Sequence, residues 1–216
     1  MKTSELILKM QQDLQPVRPQ ATTGRLAIGF LAVASLSLVA WLSYFGPRGD
    51  WLSGGWIYFV REGLSLALLT VGALLLGPLS RPGLGWRPMW RMAVAIGMVF
   101  LGLDFFLPTQ LSALDTQDGL AFWGEKCSRL TLLYALVPAV TSFVVLHRRL
   151  VLDAFRVSLV SVMVAAAGGR IGIELYCDYP NHAHVWMWHL VVPLTALLVT
   201  LIPLGLWLFR PKVTRL

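Results

Sequence analysis

An all-α polytopic membrane protein, built as a bundle of six transmembrane helices behind a short cytoplasmic amphipathic helix, is the fold class that this sequence predicts. Three observations carry it. Apolar residues make up 56% of the chain and charged ones only 13%, with a mean hydropathy of +0.68, well outside soluble usage. The apolar residues gather into runs of the length a membrane needs, roughly 20 residues for a hydrocarbon core of about 30 Å, so 216 residues hold about six spans and no sizeable soluble domain. The basic residues behind the net charge of +7 sit mostly in short segments between these runs, where they report topology and not a nucleic-acid surface. The lipid bilayer is therefore the first partner, and no direct contact with nucleic acid is expected.

Residues 1–25, MKTSELILKMQQDLQPVRPQATTGR, form the first unit. Leu6, Ile7, Met10 and Leu14 recur at helical spacing, Thr3 or Ser4 offers an N-cap, and Glu5 falls in the first turn, where the helix dipole favours an acid. Pro16 stops the run. Two readings fit such a helix: it lies on the membrane interface, or it docks into a partner's groove. The first apolar run begins only at Leu26, without the short basic region and small-residue cleavage site of a signal peptide, and so reads as a retained span.

The transmembrane domain, residues 26–210, follows. Its spans are expected at 26–45, closed by Gly46 and Pro47, at 57–77, closed by Pro78, and at 89–107, closed by Pro108. Three more are expected at 130–146, 154–176 and 185–209, leaving 211–216 as a tail. An even number of spans puts both termini on one side. Thirteen of the 18 basic residues fall on that side: Lys2, Lys9, Arg18, Arg25, Arg81, Arg87, Arg91, Arg148, Arg149, Arg156, Arg210, Lys212 and Arg215. By the positive-inside bias both termini are cytoplasmic, and in a bacterium the membrane is the inner one.

This topology sends the loop at about 108–129, with Asp115, Asp118, Glu125 and Cys127, and the turn carrying Cys177, Asp178, His182 and His184, to the outer side. There, in an oxidising periplasm, two thiols can persist as a disulfide. Two cysteines so far apart exclude a multi-disulfide scaffold and any CxxC motif. Ionisable residues inside a membrane are costly, and each is a functional candidate: Arg61 and Glu62, Asp104, and Arg170 with Glu174, which are four apart and so share a helix face on which they can neutralise each other. Taken singly, each reads first as a group that glues helices together or reaches the interface. Their shared depth near the outer surface, not the midplane, argues for a site there and against a translocation path.

Residues 168–190, GGRIGIELYCDYPNHAHVWMWHL, concentrate the reactive side chains. Cys177, His182 and His184 lie close together on a turn, with His189 about one helical turn into the sixth span. Thiolate and imidazole suit zinc, copper or cadmium, and Cys127 completes a set if spans four, five and six are neighbours. Cys127, Cys177, His182 and His184 are accordingly the candidate ligands for a transient heavy-metal or zinc ion, with no cofactor required. The spacing matches no standard zinc signature, and histidines beside Trp186 and Trp188 also fit a plain interfacial belt. Gly168, Gly169 and Gly172 read as small residues that let helices approach. Catalysis is not expected: HExxH, GxSxG and phosphate-loop motifs are all missing, and two cysteines do not make an electron relay.

Three stretches, MKTSELILKMQQDLQPVRP, CSRLTLLYALVPAVTSFVVLHRRL and LYCDYPNHAHVWMWHLVVPL, together resemble the NrsF (negative regulator of sigma F) family of six-span bacterial inner-membrane anti-sigma factors. The resemblance implies that the cytoplasmic N-terminal segment takes part in holding an extracytoplasmic-function sigma factor away from RNA polymerase. On matching positions this assigns Glu5, Leu6, Ile7, Leu14, Pro16 and Val17, with Met10 from the same helical face, to partner binding. It also implies that Cys127 and Cys177 are periplasmic sensors of metal or oxidative stress. The histidines are not part of the family pattern, so their role as ligands rests on local chemistry. An anti-sigma factor that releases its partner when the cysteines change state is thus the leading expectation. A membrane metal-handling or thiol-redox protein using the same Cys/His cluster is the alternative, and an accessory subunit of a larger membrane complex is a third.

Overall fold

The computed structural model describes residues 22–47, 49, 55–79, 87–106, 117–147, 153–177 and 182–209, with the side chains of 55–57, 104–106, 117–123 and 182 outside that description. The expected partner-binding residues Glu5, Leu6, Ile7, Met10, Leu14, Pro16 and Val17 lie outside the described residues. Among those described the chain is all helical. Helix α1 runs Thr23–Phe45, α2 Gly55–Leu79, α3 Arg87–Phe106, α4 Gln117–His147 and α5 Ala154–Glu174. After a short turn at His182–His184 comes a π-helical segment, Val185–Val191, which continues into α6, Val192–Leu208.

Local signals in the sequence set these limits. Thr22 caps α1 by accepting a hydrogen bond from the Arg25 N–H, and Gly46 ends it at φ +81°, a backbone state that glycine adopts without steric penalty. Asp153 caps α5 through the Arg156 N–H at 3.0 Å. Five helices, at Thr23–Phe45, Tyr58–Leu79, Gly124–His147, Ala154–Glu174 and Val185–Leu208, are long and apolar enough to cross a membrane over their described residues. The sixth rod is α3, 20 residues long. One expectation needs correcting. The sequence places Cys127, together with Glu125 and Arg129, in or at the edge of an outward loop, yet α4 begins at Gln117 and carries all three on helix. Helical spacing is preserved there by the exposed Glu125–Arg129 ion pair, four residues apart.

Helix α5 is the hub: it packs against α1, α2, α4 and α6, whereas α3 packs mainly on α2. Small residues allow this. A Cβ on Gly169 would lie 2.7 Å from the Thr131 carbonyl oxygen, and one on Gly172 would enter the Tyr134 ring, so α5 approaches α4 at backbone distance. Against α2, Gly72 makes room for Val164. The main apolar core lies here, with Ala73, Leu75, Val157, Val160 and Val164 fully buried, while Ile28, Leu36, Met98, Val140, Val144 and Val199 face outward, as lipid-facing residues do. Hydroxyls within the bundle return to their own helices. Ser142 donates to the Ala139 carbonyl at 2.7 Å and Ser161 to that of Val157 at 3.0 Å, which satisfies them without water.

Candidate functional site

At one end of the bundle a separate cluster forms around Cys127, Leu130, Tyr134, Ile173 and Cys177, flanked by Trp41, Phe45 and Tyr176. Helix α4 delivers Cys127 within the first turn of its apolar span. Past the end of α5 the chain keeps a helical course for one more turn, since the Cys177 N–H donates to the Ile173 carbonyl at 2.8 Å. Arg170, Glu174 and Cys177 are thereby spaced i, i+4, i+7 and share one face. The two sulfurs lie 3.5 Å apart, in contact as thiols and well beyond the roughly 2.05 Å of a disulfide bond. Their hydrogen bond is the first cause, and burial the second, that holds the Cys177 thiol above its ordinary pKa, with His184 and His189 pulling the other way.

His184 brings Nε2 to 3.7 Å from the Cys177 sulfur, and the His184 and His189 rings meet edge to face at 5.1 Å. One ligand atom from each of Cys127, Cys177, His184 and His189 falls within 4.8 Å of the others, and all four residues are buried. Behind them sits a relay of charge. Glu174 Oε1 lies 3.3 Å from His189 Nδ1 and 3.0 Å from Arg170 Nε, and the Arg170 guanidinium stands over the Phe100 ring at 5.5 Å. An ion pair so deeply placed needs both members, because a lone buried charge is expensive.

The π-helical segment explains why two histidines five residues apart converge. At 3.6 residues per turn, five residues advance about 500°, so an α-helix would point them about 140° apart. Hydrogen bonding from i to i+5 instead brings them into line. The Val192 N–H donates to the carbonyl of Met187, five residues back. The next donor in this register would be residue 193, a proline with no N–H, and the Trp188 carbonyl left over accepts the Ser128 hydroxyl of α4 at 2.8 Å. Gly124, one turn before Ser128, leaves space for the Trp188 indole, which a Cβ would run into.

Of the expected ligands, then, Cys127, Cys177 and His184 come together, whereas the side chain of His182 lies outside the described residues. His189, near this set in sequence but not among the expected ligands, takes a place beside them that α-helical periodicity does not foresee; Pro193, which lacks an N–H, is a further local signal for the departure from α geometry. Asp104 lies in the last turn of α3, its side chain outside the described residues.

The architecture is that of a polytopic helical membrane protein with a thiol and imidazole cluster near one mouth of the bundle and no enzyme-like constellation among its described residues. The chain belongs to the family described as negative regulator of sigma F, NrsF, which it matches over residues 10–210. It is therefore a negative regulator of a sigma factor. No curated protein and no solved structure matches it.

Proposed function

We propose that this protein is an inner-membrane anti-sigma factor that holds an extracytoplasmic-function sigma factor at the cytoplasmic face and releases it when Cys127 and Cys177 change state in the periplasm. The observation that carries the sensing half is the contact of the two sulfurs at 3.5 Å, made by residues 50 apart in sequence and on different helices. Any reaction at these thiols, whether metal ligation or oxidation, changes how α4 meets the end of α5, the helix against which most of the bundle packs. Such coupling gives two arrangements with different affinity for the signal and for the sigma factor, which is what release requires. Binding falls to residues 1–25, with Glu5, Leu6, Ile7, Met10, Leu14, Pro16 and Val17 on the docking segment, and the basic segments 81–91 and 148–156 offer further contacts to an acidic partner surface.

Co-purification from detergent extract tests both halves. A sigma factor should be retained by the full chain, lost on deletion of residues 1–20, and retained by Cys127→Ser and Cys177→Ser, which should fail to release it on treatment with a thiol-reactive metal. Retention after the deletion would sink the binding half, and normal release from the serine variants the sensing half. Metal flux into proteoliposomes with no associated sigma factor would instead favour the metal-handling alternative, which the same Cys/His cluster supports.

A further inference from the structure

We propose that Cys127, Cys177, His184 and His189 form one closed four-ligand site for a thiophilic divalent cation of the zinc and cadmium class, and that the π-helical turn is the device that supplies its nitrogen half. The inference deepens the sensing reading and rests on it for its role in signalling.

Distances come first. A tetrahedral ion with metal–sulfur bonds of about 2.3 Å and metal–nitrogen bonds of about 2.0–2.1 Å holds its ligands about 3.8 Å apart for sulfur to sulfur and about 3.6 Å for sulfur to nitrogen. The cluster has its sulfurs 3.5 Å apart, Cys177 Sγ 3.7 Å from His184 Nε2, and all four donors within 4.8 Å, so side-chain adjustments alone close the shell. Charge comes second. A divalent cation replaces the two thiol protons, which leave to solvent, and with two thiolates and two neutral imidazoles the centre is uncharged, the state that burial favours. Two sulfurs and two nitrogens, all drawn from the protein, leave no open position, which marks a binding or structural site and not a catalytic one.

The support behind the ligands points the same way. Ligating histidines characteristically give their second nitrogen to a carboxylate, which fixes tautomer and ring orientation. His189 does this through Nδ1, 3.3 Å from the accepting Glu174 Oε1, and Glu174 is itself fixed by Arg170 at 3.0 Å. The other nitrogen, His189 Nε2, is buried and makes no hydrogen bond among the described residues, and it is the atom that ligation would satisfy. Glu174 and Arg170 are thus positioning residues. Through them the site reaches one and two turns down α5, the hub of the bundle, which gives an ion bound near the membrane surface a grip on the helix that organises the rest.

The test uses the full chain in detergent with its thiols reduced, titrated with zinc or cadmium alone. One ion per chain should bind, and X-ray absorption should show two sulfurs and two imidazole nitrogens. No binding, or a shell without both imidazoles, would overturn the proposal. His184→Ala and His189→Ala should each weaken binding at least tenfold, while His182→Ala should not; the reverse pattern overturns the assignment of His189. His189→Cys guards against loss of fold, because it should raise the sulfur count to three, and an unchanged count overturns the ligand. Glu174→Gln should weaken binding by about 10–100-fold while keeping the same shell. Since metal binding is read without a sigma factor, its failure beside normal co-purification sinks this inference alone, and the opposite outcome sinks the anti-sigma reading alone.

Discussion

The apolar half of the bundle and its polar end are assembled on different terms. Around Leu75, Val160 and Val164 the helices meet through regular α-helical faces, with Gly72 letting α2 and α5 close together, and each contact is local. At the other end nothing stands alone. Cys127, Cys177, His184 and His189 converge from three segments, Glu174 serves both His189 and Arg170, and the backbone departs from α geometry to bring the rings together. The difference teaches that residues of the apolar half share no polar partner, whereas each residue of the polar end is tied to the next through shared contacts. Shared contacts of this kind are what the proposed sensing role requires.

Arg170→Ala should break this contrast most severely. It removes the cation from a buried carboxylate, and the loss expected in thermal unfolding in detergent is about 3–5 kcal/mol, with faster alkylation of Cys177. Leu75→Ala, at a fully buried apolar position, should lower stability by only about 1–3 kcal/mol, because the transfer term largely vanishes when the surrounding solvent is lipid, and should leave thiol alkylation as it was. Equal acceleration in both variants would mean that the two regions are not separate.

A smaller effect should sharpen the boundary between them. Gly124→Ala puts a methyl into the Trp188 indole, a bulky ring that has to shift to admit it, so about 1–3 kcal/mol should be lost together with a shift in tryptophan fluorescence. Gly97→Ala on α3 meets only Leu68 Cδ2 at 4.0 Å and should be close to neutral by the same measurements. The smallest effect is expected from deleting Met187, which is 46% exposed. If the π turn holds one extra residue, its removal leaves His184 and the former His189 four apart on an α-helix, again on one face, and metal affinity should survive. A collapse of affinity on that deletion would show that the π geometry does more than align the two rings.

Much of the fold was legible because membrane helices must satisfy their backbone internally and fill a fixed thickness, so apolar run length announces them; Gly46 marks the end of α1 as expected, whereas Pro78, expected to close the second span, lies inside α2. Arg170 and Glu174 could be placed on one face from their spacing alone. The start of α4 could not, since the polar stretch that carries Glu125, Lys126 and Arg129 resembles a loop in composition while its i, i+4 ion pair supports helix. For the site, residue type was enough to single out Cys127, Cys177 and His184. It was not enough for His189, because a periodic reading assumes 3.6 residues per turn and the chain leaves that period where His189 lies.

By itself, then, the sequence determined a helical membrane protein, its likeness to the negative regulators of sigma F, and the kinds of side chain that gather near one surface. These follow from local quantities: hydropathy, spacing and motif. Only the tertiary structure decided that two thiols 50 residues apart touch, that His189 joins them, and that Glu174 ties the cluster to the central helix. Contacts between helices depend on how closely backbones approach and how each helix is rotated. Gly124, Gly172 and a π-helical turn set those quantities here, and their effect exists only once the partner helix is in place.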